Sequence, residues 1–299
     1  MKVAVTGASG FVGGAIQLGL RQAGHEVIGI SRRGPDISWD IRCGPLSAAP
    51  TVDAVVHCAA LVRDGPIGPE HIAVNVDGTR KVLSSFPGAR FVHISSASVY
   101  DPWVAKTCVR EDVTPPERWL NGYGQTKWMS EVLVRRLRPD AAILRPHAVY
   151  GSGDATLLPR LLRARLLGRQ LAIGDGRNRI TLTSISNLVD AVSAAMCHEL
   201  VGPVNIGDAD TPTVAEVFEH LLHSLGMPAG IVWIPRSQAW AAALVCERLS
   251  GPREPWLSRY VVNQMSLDFT LSLERARQEL HWEPKETYKT GFAALTVGA

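Results

Sequence analysis

Short apolar runs alternating with helix-compatible segments predict an α/β fold, a doubly wound parallel sheet with helices on both faces. Three observations carry this. The chain opens on a β-rich run, Lys2-Val3-Ala4-Val5-Thr6, that meets the glycine turn Gly7-Ala8-Ser9-Gly10-Phe11-Val12-Gly13. Further strand-like runs at 25–30, 52–57 and 90–94 are separated by stretches long enough for helices or loops. Ser95 and Ser96 close the last of these runs, and Tyr123-Gly124-Gln125-Thr126-Lys127 and Arg145-Pro146 follow in order.

The glycine turn is readable from chemistry. Small residues let backbone approach a pyrophosphate, and the helix that follows, marked by Ile16, Leu18 and Leu20, offers free N–H groups and a positive dipole end. Gly7, Gly10 and Gly13 are spaced differently from the commoner G-x-G-x-x-G fingerprint, and an ordinary strand-to-helix loop is the alternative. On the nucleotide reading Ser9, Phe11 and Val12 belong to the same binding turn.

The 25–30 run ends in Ser31-Arg32-Arg33. An acid at this strand end would bind the ribose 2′-hydroxyl of NAD, whereas Arg accommodates the 2′-phosphate of NADP. No acid stands here, and the planar fork of Arg donates two parallel charge-assisted bonds to phosphate. The expected cofactor is NADP(H), with NAD(H) as the alternative. A solvated loop is the other reading of the arginines.

Length and composition agree. The 299 residues allow a substantial core and exceed a usual single domain. A net charge of +3 is too small to imply nucleic acid. Cys43, Cys58, Cys108, Cys197 and Cys246 form neither a C-x-x-C pair nor a disulfide-like framework, so a reducing cytoplasm is the expected compartment. No apolar stretch reaches membrane-spanning length and no signal peptide precedes the first strand, so no membrane partner is expected. No metal is called for.

The 52–57 run ends at Cys58-Ala59-Ala60, whose small side chains would let a flat cofactor lie close. A helix over 70–86 carries Asn75-Val76-Asp77-Gly78-Thr79. Ser95 and Ser96 then stand at the carboxyl end of a strand, where ligands bind in open α/β sheets, although serines there are often only turn formers. Helical character over 117–137 places Tyr123 and Lys127 on one face. A phenol normally titrates at about pH 10, so it needs help to exchange a proton at neutral pH. An ammonium favours the phenolate, and a serine hydroxyl can bind the same substrate oxygen. That constellation suits hydride transfer to or from a carbonyl, with the nicotinamide supplying the hydride and the protein the proton.

The glycine turn, Asp53 with His57-Cys58-Ala59-Ala60, Asn75-x-x-Gly78-Thr79, Ile94-Ser95-Ser96-Ala97-Ser98-Val99-Tyr100, Tyr123-x-x-x-Lys127 and Arg145-Pro146-His147-Ala148-Val149-Tyr150-Gly151 together resemble the extended short-chain dehydrogenase/reductase family, also called the NAD-dependent epimerase/dehydratase family. The resemblance runs through most of the chain. It implies that Tyr123 is the catalytic acid/base, that Lys127 lowers its pKa and holds the nicotinamide ribose, and that Ser96 binds the reacting oxygen. It implies cofactor contacts from Asp40-Ile41 at the adenine, from Arg32 and Arg33 at the 2′-phosphate, and from Ser31, Cys58, Ala59, Ala60, Asn75 and Pro146. It further implies a Rossmann-type sheet with a smaller, discontinuous α/β substrate domain: 1–148 plus about 187–208 for the cofactor, 149–186 plus 209–299 for the substrate. A homodimer through the helices around Asn75 and Tyr123 is expected on the same ground.

The second half predicts helices at 155–168, 187–199, 213–225, 237–249 and 272–280, with strands at 180–185 and 203–207. Arg160, Arg163 and Arg165 read as a solvated face, and Arg259 as a surface charge or a ligand contact. Departures from the family narrow the chemistry. Ala97 and Ser98 stand where its nucleotide-sugar 4,6-dehydratases carry Asp-Glu, so dehydration is not expected. Ile180 stands where nucleotide-sugar enzymes place a diphosphate-binding Arg, with Arg177 and Arg179 near enough to substitute in a shifted register. The 183–191 segment resembles the branch of 3β-hydroxysteroid dehydrogenases and ketone reductases. Trp103, Trp119, Trp128, Trp233, Trp240 and Trp256 supply aromatic walls for an apolar, ring-containing ligand, or else fill core. His147 is a second proton donor or a structural bond. The reading is an NADP(H)-dependent oxidoreductase acting on a small-molecule apolar ketone or secondary alcohol, against a nucleotide-sugar epimerase or reductase and, third, a non-catalytic NADP sensor.

Overall fold

The computed structural model describes residues 1–154, 157–228, 230–251, 253–293 and 295. Seven strands form the central sheet: β1 (Lys2–Thr6), β2 (Glu26–Ser31), β3 (Ile37–Ser38), β4 (Ala54–His57), β5 (Arg90–Ile94), β6 (Ala142–Pro146) and β7 (Gly202–Ile206). Their order is β7-β6-β5-β4-β1-β2-β3, and every pairing is parallel. Strands buried on both faces need continuous rather than alternating apolar residues, which β4 and β6 supply. After β3 the chain crosses β1 to begin the other half of the sheet at β4. The loops leaving β1 and β4 therefore part in opposite directions and open a crevice at the carboxyl edge.

Two apolar layers sandwich the sheet. On one face Ile16 and Leu20 of α1 (Phe11–Gln22) pack with Leu188, Ala191, Val192 and Ala195 of the 185–197 helix. The opposite core gathers Val82, Leu83 and Phe86 from the helical segment that follows β4, together with Leu133 and Val134 of α2 (Gly122–Leu137). The helix expected over 117–137 starts only at Gly122, because Pro115 and Pro116 disfavour helix before it and the Asn121 side chain caps it by accepting from Gly124 N.

The second half departs further from the sequence expectation. The predicted 155–168 helix is seen as Leu157–Arg163, with Ala155 and Thr156 outside the described residues. The rest of that stretch holds a short strand, Arg165–Leu166, and a turn. Leu167 and Gly168 take φ of 49° and 78°, a tight turn joining Arg165–Leu166 to Arg169–Ile173, which pairs with Ile231–Ile234. The expected 180–185 strand contracts to Thr183–Ser184 beside Val149–Tyr150. Phe269–Leu271 joins Lys106–Val109 and ties the end of the chain to the main sheet's loops. The helix α3 (Arg259–Ser266), capped by Ser258, was not expected and proves central to the site. No helix among the described residues is long and apolar enough to cross a membrane, and no group of metal-ligating side chains occurs among them.

Candidate active site

The glycine turn lies in the crevice. Gly7 adopts φ 72°, and a Cβ there would sit 2.8 Å from Ala59 N, so the loops after β1 and β4 touch through backbone alone. A Cβ on Gly13 would fall 2.3 Å from Gly7 O, which holds α1 hard against the turn. No side chain caps α1 and its first turn carries no acid, leaving its positive end free for an anion. Ser9 and Gly10 are exposed, Phe11 and Val12 half-buried. Ser9 and Arg33 line one cavity of about 400 Å³ with Gln17 and Arg21. At the end of β2 the buried Ser31 hydroxyl has no hydrogen-bond partner. A glycine cradle, an uncapped helix start, an orphaned hydroxyl and a guanidinium facing one cavity fit the phosphates and ribose of a dinucleotide.

The remaining expected cofactor residues divide. Arg32 is exposed and lowers the Asp40 carboxyl through its charge. A stronger hydrogen bond from Arg42 holds that carboxyl at about 2. Ile41 is packed in the core against Gly78. Cys58, Ala59 and Ala60 are half-buried, and burial pushes the Cys58 thiol up to about 12, so it is an apolar wall rather than a nucleophile. Asn75 occupies a π-helical stretch, Ile72–Gly78, within the predicted 70–86 helix. Its amide bonds Leu61 N and O and, at 2.9 Å, Thr126 Oγ1, pinning the post-β4 loop to α2. Pro146 ends β6, buried.

The groups expected to react gather at the carboxyl end of β5. Ser96 caps a short turn, Ala97–Val99, by accepting from Ser98 N at 3.1 Å. The α2 helix packs directly on this turn. A Cβ on Gly124 would lie 2.4 Å from Ser98 O, so the glycine permits Tyr123 to approach Ser96. Burial pushes the Tyr123 phenol up to about 12, and the Ser96 side chain acts in the opposite direction. Lys127 Nζ donates to Ile94 O at 2.6 Å and lies 3.4 Å from His93 Nε2. Burial brings Lys127 down to about 8, against the pull of Glu131. His57 and His93 are driven neutral by burial, so the ammonium is the charge among them. Ser96, Tyr123 and Lys127 thus converge within the crevice, and the ammonium is engaged by backbone rather than by the phenol.

The sequence matches the NAD dependent epimerase/dehydratase family over residues 3–207. The chain is an extended short-chain dehydrogenase/reductase. Among relatives of this reductase family, a 2-alkyl-3-oxoalkanoate reductase of Stenotrophomonas maltophilia is 28% identical over 100% of this chain and 99% of that protein. A 4-hydroxy-2-methyl-3-oxo-4-farnesyl-3,4-dihydroquinoline-1-oxide ketoreductase of Stigmatella aurantiaca is 29% identical over 81% of this chain and 76% of that one. The solved UDP-glucuronic acid 4-epimerase of Bacillus cereus, in complex with NAD, has a TM-score of 0.76 at 22% identity, covering 99% and 98% of the two chains. At that identity the likeness is one of fold. A human epimerase family protein with NADPH is similar to the same degree, 0.76 at 22%, over 100% of each chain.

Several residues of this extended reductase site were not singled out from sequence. Glu131 lies one turn beyond Lys127 and holds Arg145 through bonds of 2.9 and 2.7 Å, both side chains buried. Ser95 Oγ donates to the same carboxylate at 2.5 Å. The i, i+4 spacing of Lys127 and Glu131 was the available signal. Tyr260 reaches in from α3 and bonds Ser98 Oγ at 2.7 Å. Its neighbour Arg259, singled out in the sequence, is instead bound to Glu247 and stacked on Trp240. His147 faces Thr181 O at 2.6 Å and Gln264 Oε1 at 2.8 Å and lies against Phe269, so it is a structural histidine. Trp233 packs with Phe218 in a core, whereas Trp103 and Trp240 pair at 6.0 Å beside α3. Ile180 is buried, and Arg179 donates to Thr211 O.

Proposed function

We propose that the protein is an NADP(H)-dependent oxidoreductase that transfers hydride between nicotinamide and an apolar ketone or secondary alcohol, with Tyr123 as acid/base. The observation that carries this reading is the close packing of the helix bearing Tyr123 and Lys127, four residues apart, on the Ser96 turn at the carboxyl edge of the sheet, where a Cβ on Gly124 would lie 2.4 Å from Ser98 O. The cofactor, held by the glycine turn, Ser31, Arg32 and Arg33, would supply or accept the hydride. In reduction Tyr123 gives its proton to the carbonyl oxygen while Ser96 donates a hydrogen bond to it. Lys127 stabilises the phenolate that remains once it turns from Ile94 O.

The walls support this substrate class. Where nucleotide-sugar enzymes place a diphosphate-binding Arg stands the buried Ile180, and the nearby Arg179 donates one N–H to Thr211 O. The Trp103 and Trp240 pair near α3 favours an apolar ring or chain. The reductase relatives named above point the same way. A homodimer belongs to this proposal, supported by Met129, Val132 and Leu137 exposed on α2.

The test titrates alkyl aryl ketones and UDP- or dTDP-sugars against NADPH-loaded protein, following binding and NADPH absorbance. Stoichiometric NADPH oxidation by ketones is expected. Tight sugar-nucleotide binding that is lost in Arg177→Ala/Arg179→Ala, with no ketone turnover, would overturn the substrate class.

A further inference from the structure

Ser96 does not act alone. Its hydroxyl has one proton and two lone pairs, and Ser98 N–H fills one lone pair at 3.1 Å. Its proton lies toward Ser98 Oγ at 2.9 Å, and Ser98 Oγ lies 2.7 Å from the Tyr260 hydroxyl. These three hydroxyls form an unbranched chain that starts in the C-terminal part of the sequence and ends at the substrate-oxygen site. Its polarity is reversible. When Ser96 turns its proton to a substrate oxygen, Ser98 loses that donor and turns its own proton to Ser96 Oγ. Ser98 is buried, so its oxygen then needs another donor, and the Tyr260 O–H stands at the right distance. Every bond in the chain then points at the reacting oxygen and polarises the next.

The position of Tyr260 is set independently of this chain. Ser258 caps α3 by accepting from Val261 N at 3.2 Å and donates to buried Asp64, which also accepts from Asn121, the cap of α2. Asn263 further anchors α3 by donating to Pro102 O at 2.8 Å. The charged groups that face Tyr260 are Asp64 and Arg160, and Tyr123 itself lies within electrostatic reach. Lys127 is turned away toward Ile94 and His93.

We propose that Tyr260 is a positioning residue for the donor hydroxyl of Ser96, acting through Ser98, so that the C-terminal segment completes the oxygen-binding site. The inference rests on the carbonyl chemistry proposed for Ser96 and Tyr123. Because the Ser96 side chain also acts to lower the Tyr123 phenol, the chain can be read without any substrate: a Ser96 proton turned toward Tyr123 stabilises its phenolate.

The experiment uses NADP+-loaded protein with tyrosines isotope-labelled at Cζ, the Tyr123 resonance being identified by its loss in Tyr123→Phe. Tyr260→Phe and Ser98→Ala should each raise the midpoint of Tyr123 ionisation by about half a pH unit. Tyr260→Phe should raise it no further in a Ser96→Ala background. An unchanged midpoint in both single variants overturns the proposal, as does an equal rise in the Ser96→Ala background, which would mark a field effect rather than a hydroxyl chain. With an alkyl aryl ketone and NADPH, Tyr260→Phe should lower kcat about tenfold with KM little changed, again without further loss in Ser96→Ala. A wild-type protein inactive toward that ketone counts against the proposed function alone, since the titration reports on the chain without substrate.

Discussion

Asn121 and Ser258 cap two helices remote from one another in sequence, and both hydrogen-bond the same carboxylate, Asp64, at 3.2 and 3.3 Å. Tyr123 and Tyr260 each stand two residues beyond their cap. One buried acid therefore sets the entry of both phenol-bearing helices into the site.

That arrangement predicts a pH dependence with a definite sign. Burial raises the Asp64 carboxyl above its ordinary value of 3.8, so the folded state holds the proton more tightly than the unfolded one. Its contribution to stability is fully present below 3.8 and is lost as pH rises through the elevated folded value. Measured by urea unfolding, wild-type stability relative to Asp64→Asn should fall as pH rises above the ordinary value of 3.8. Asp64→Ala, which leaves Asn121 without its acceptor, should cost about 1–3 kcal/mol. A difference that stays flat or rises with pH would refute the buried-acid account.

Tyr123→Phe keeps the ring and deletes the transferable proton. Turnover should collapse while cofactor affinity, read by fluorescence titration, stays near wild type. Lys127→Met should reduce both. Retention of most turnover by Tyr123→Phe would remove the phenol from the mechanism and favour a sensor.

Gly124→Ala places a methyl 2.4 Å from a backbone oxygen, Ser98 O, which cannot swing aside as a side chain would. The helix must back away from the Ser96 turn, at about 1–3 kcal/mol of stability. The same change should lower kcat more than it weakens cofactor binding, because the cofactor turn lies elsewhere. Unaltered kcat in a folded variant would show that Tyr123 and Ser96 need no such close approach.

Arg32→Ala should weaken NADPH binding by about 1.5–3 kcal/mol while leaving NADH binding nearly unchanged, since the 2′-phosphate alone loses a charge-assisted bond. Arg33→Ala should behave alike, because Arg33 shares its cavity with Ser9. Competition binding of the two cofactors decides this. Equal losses for both would dissociate the arginines from the phosphate.

Much of the site is local in sequence, and that part was legible. The strand and glycine turn that lead into α1, the serines ending β5 and the Tyr123/Lys127 spacing each lie within a few residues, where backbone periodicity and turn chemistry dictate geometry. The parallel sheet follows from the same alternation. Tyr260 was not legible, although Ser258 is an ordinary helix cap. A cap signals that a helix begins but not what it packs against, and Ser98 lies 162 residues away. The role of Asp64 depends on a partner 194 residues on. For His147 the sequence left a proton donor and a structural bond open, and Gln264 and Phe269, brought together only by folding, decided for the second. Among the tryptophans, Trp233 packs against Phe218, whereas Trp103 and Trp240 pair with one another. Local pattern determined the sheet and the Tyr123/Lys127 spacing, because those depend on short-range backbone geometry. Long-range packing alone decided that the Tyr260 hydroxyl meets Ser98, because contacts between distant segments leave no period in the chain.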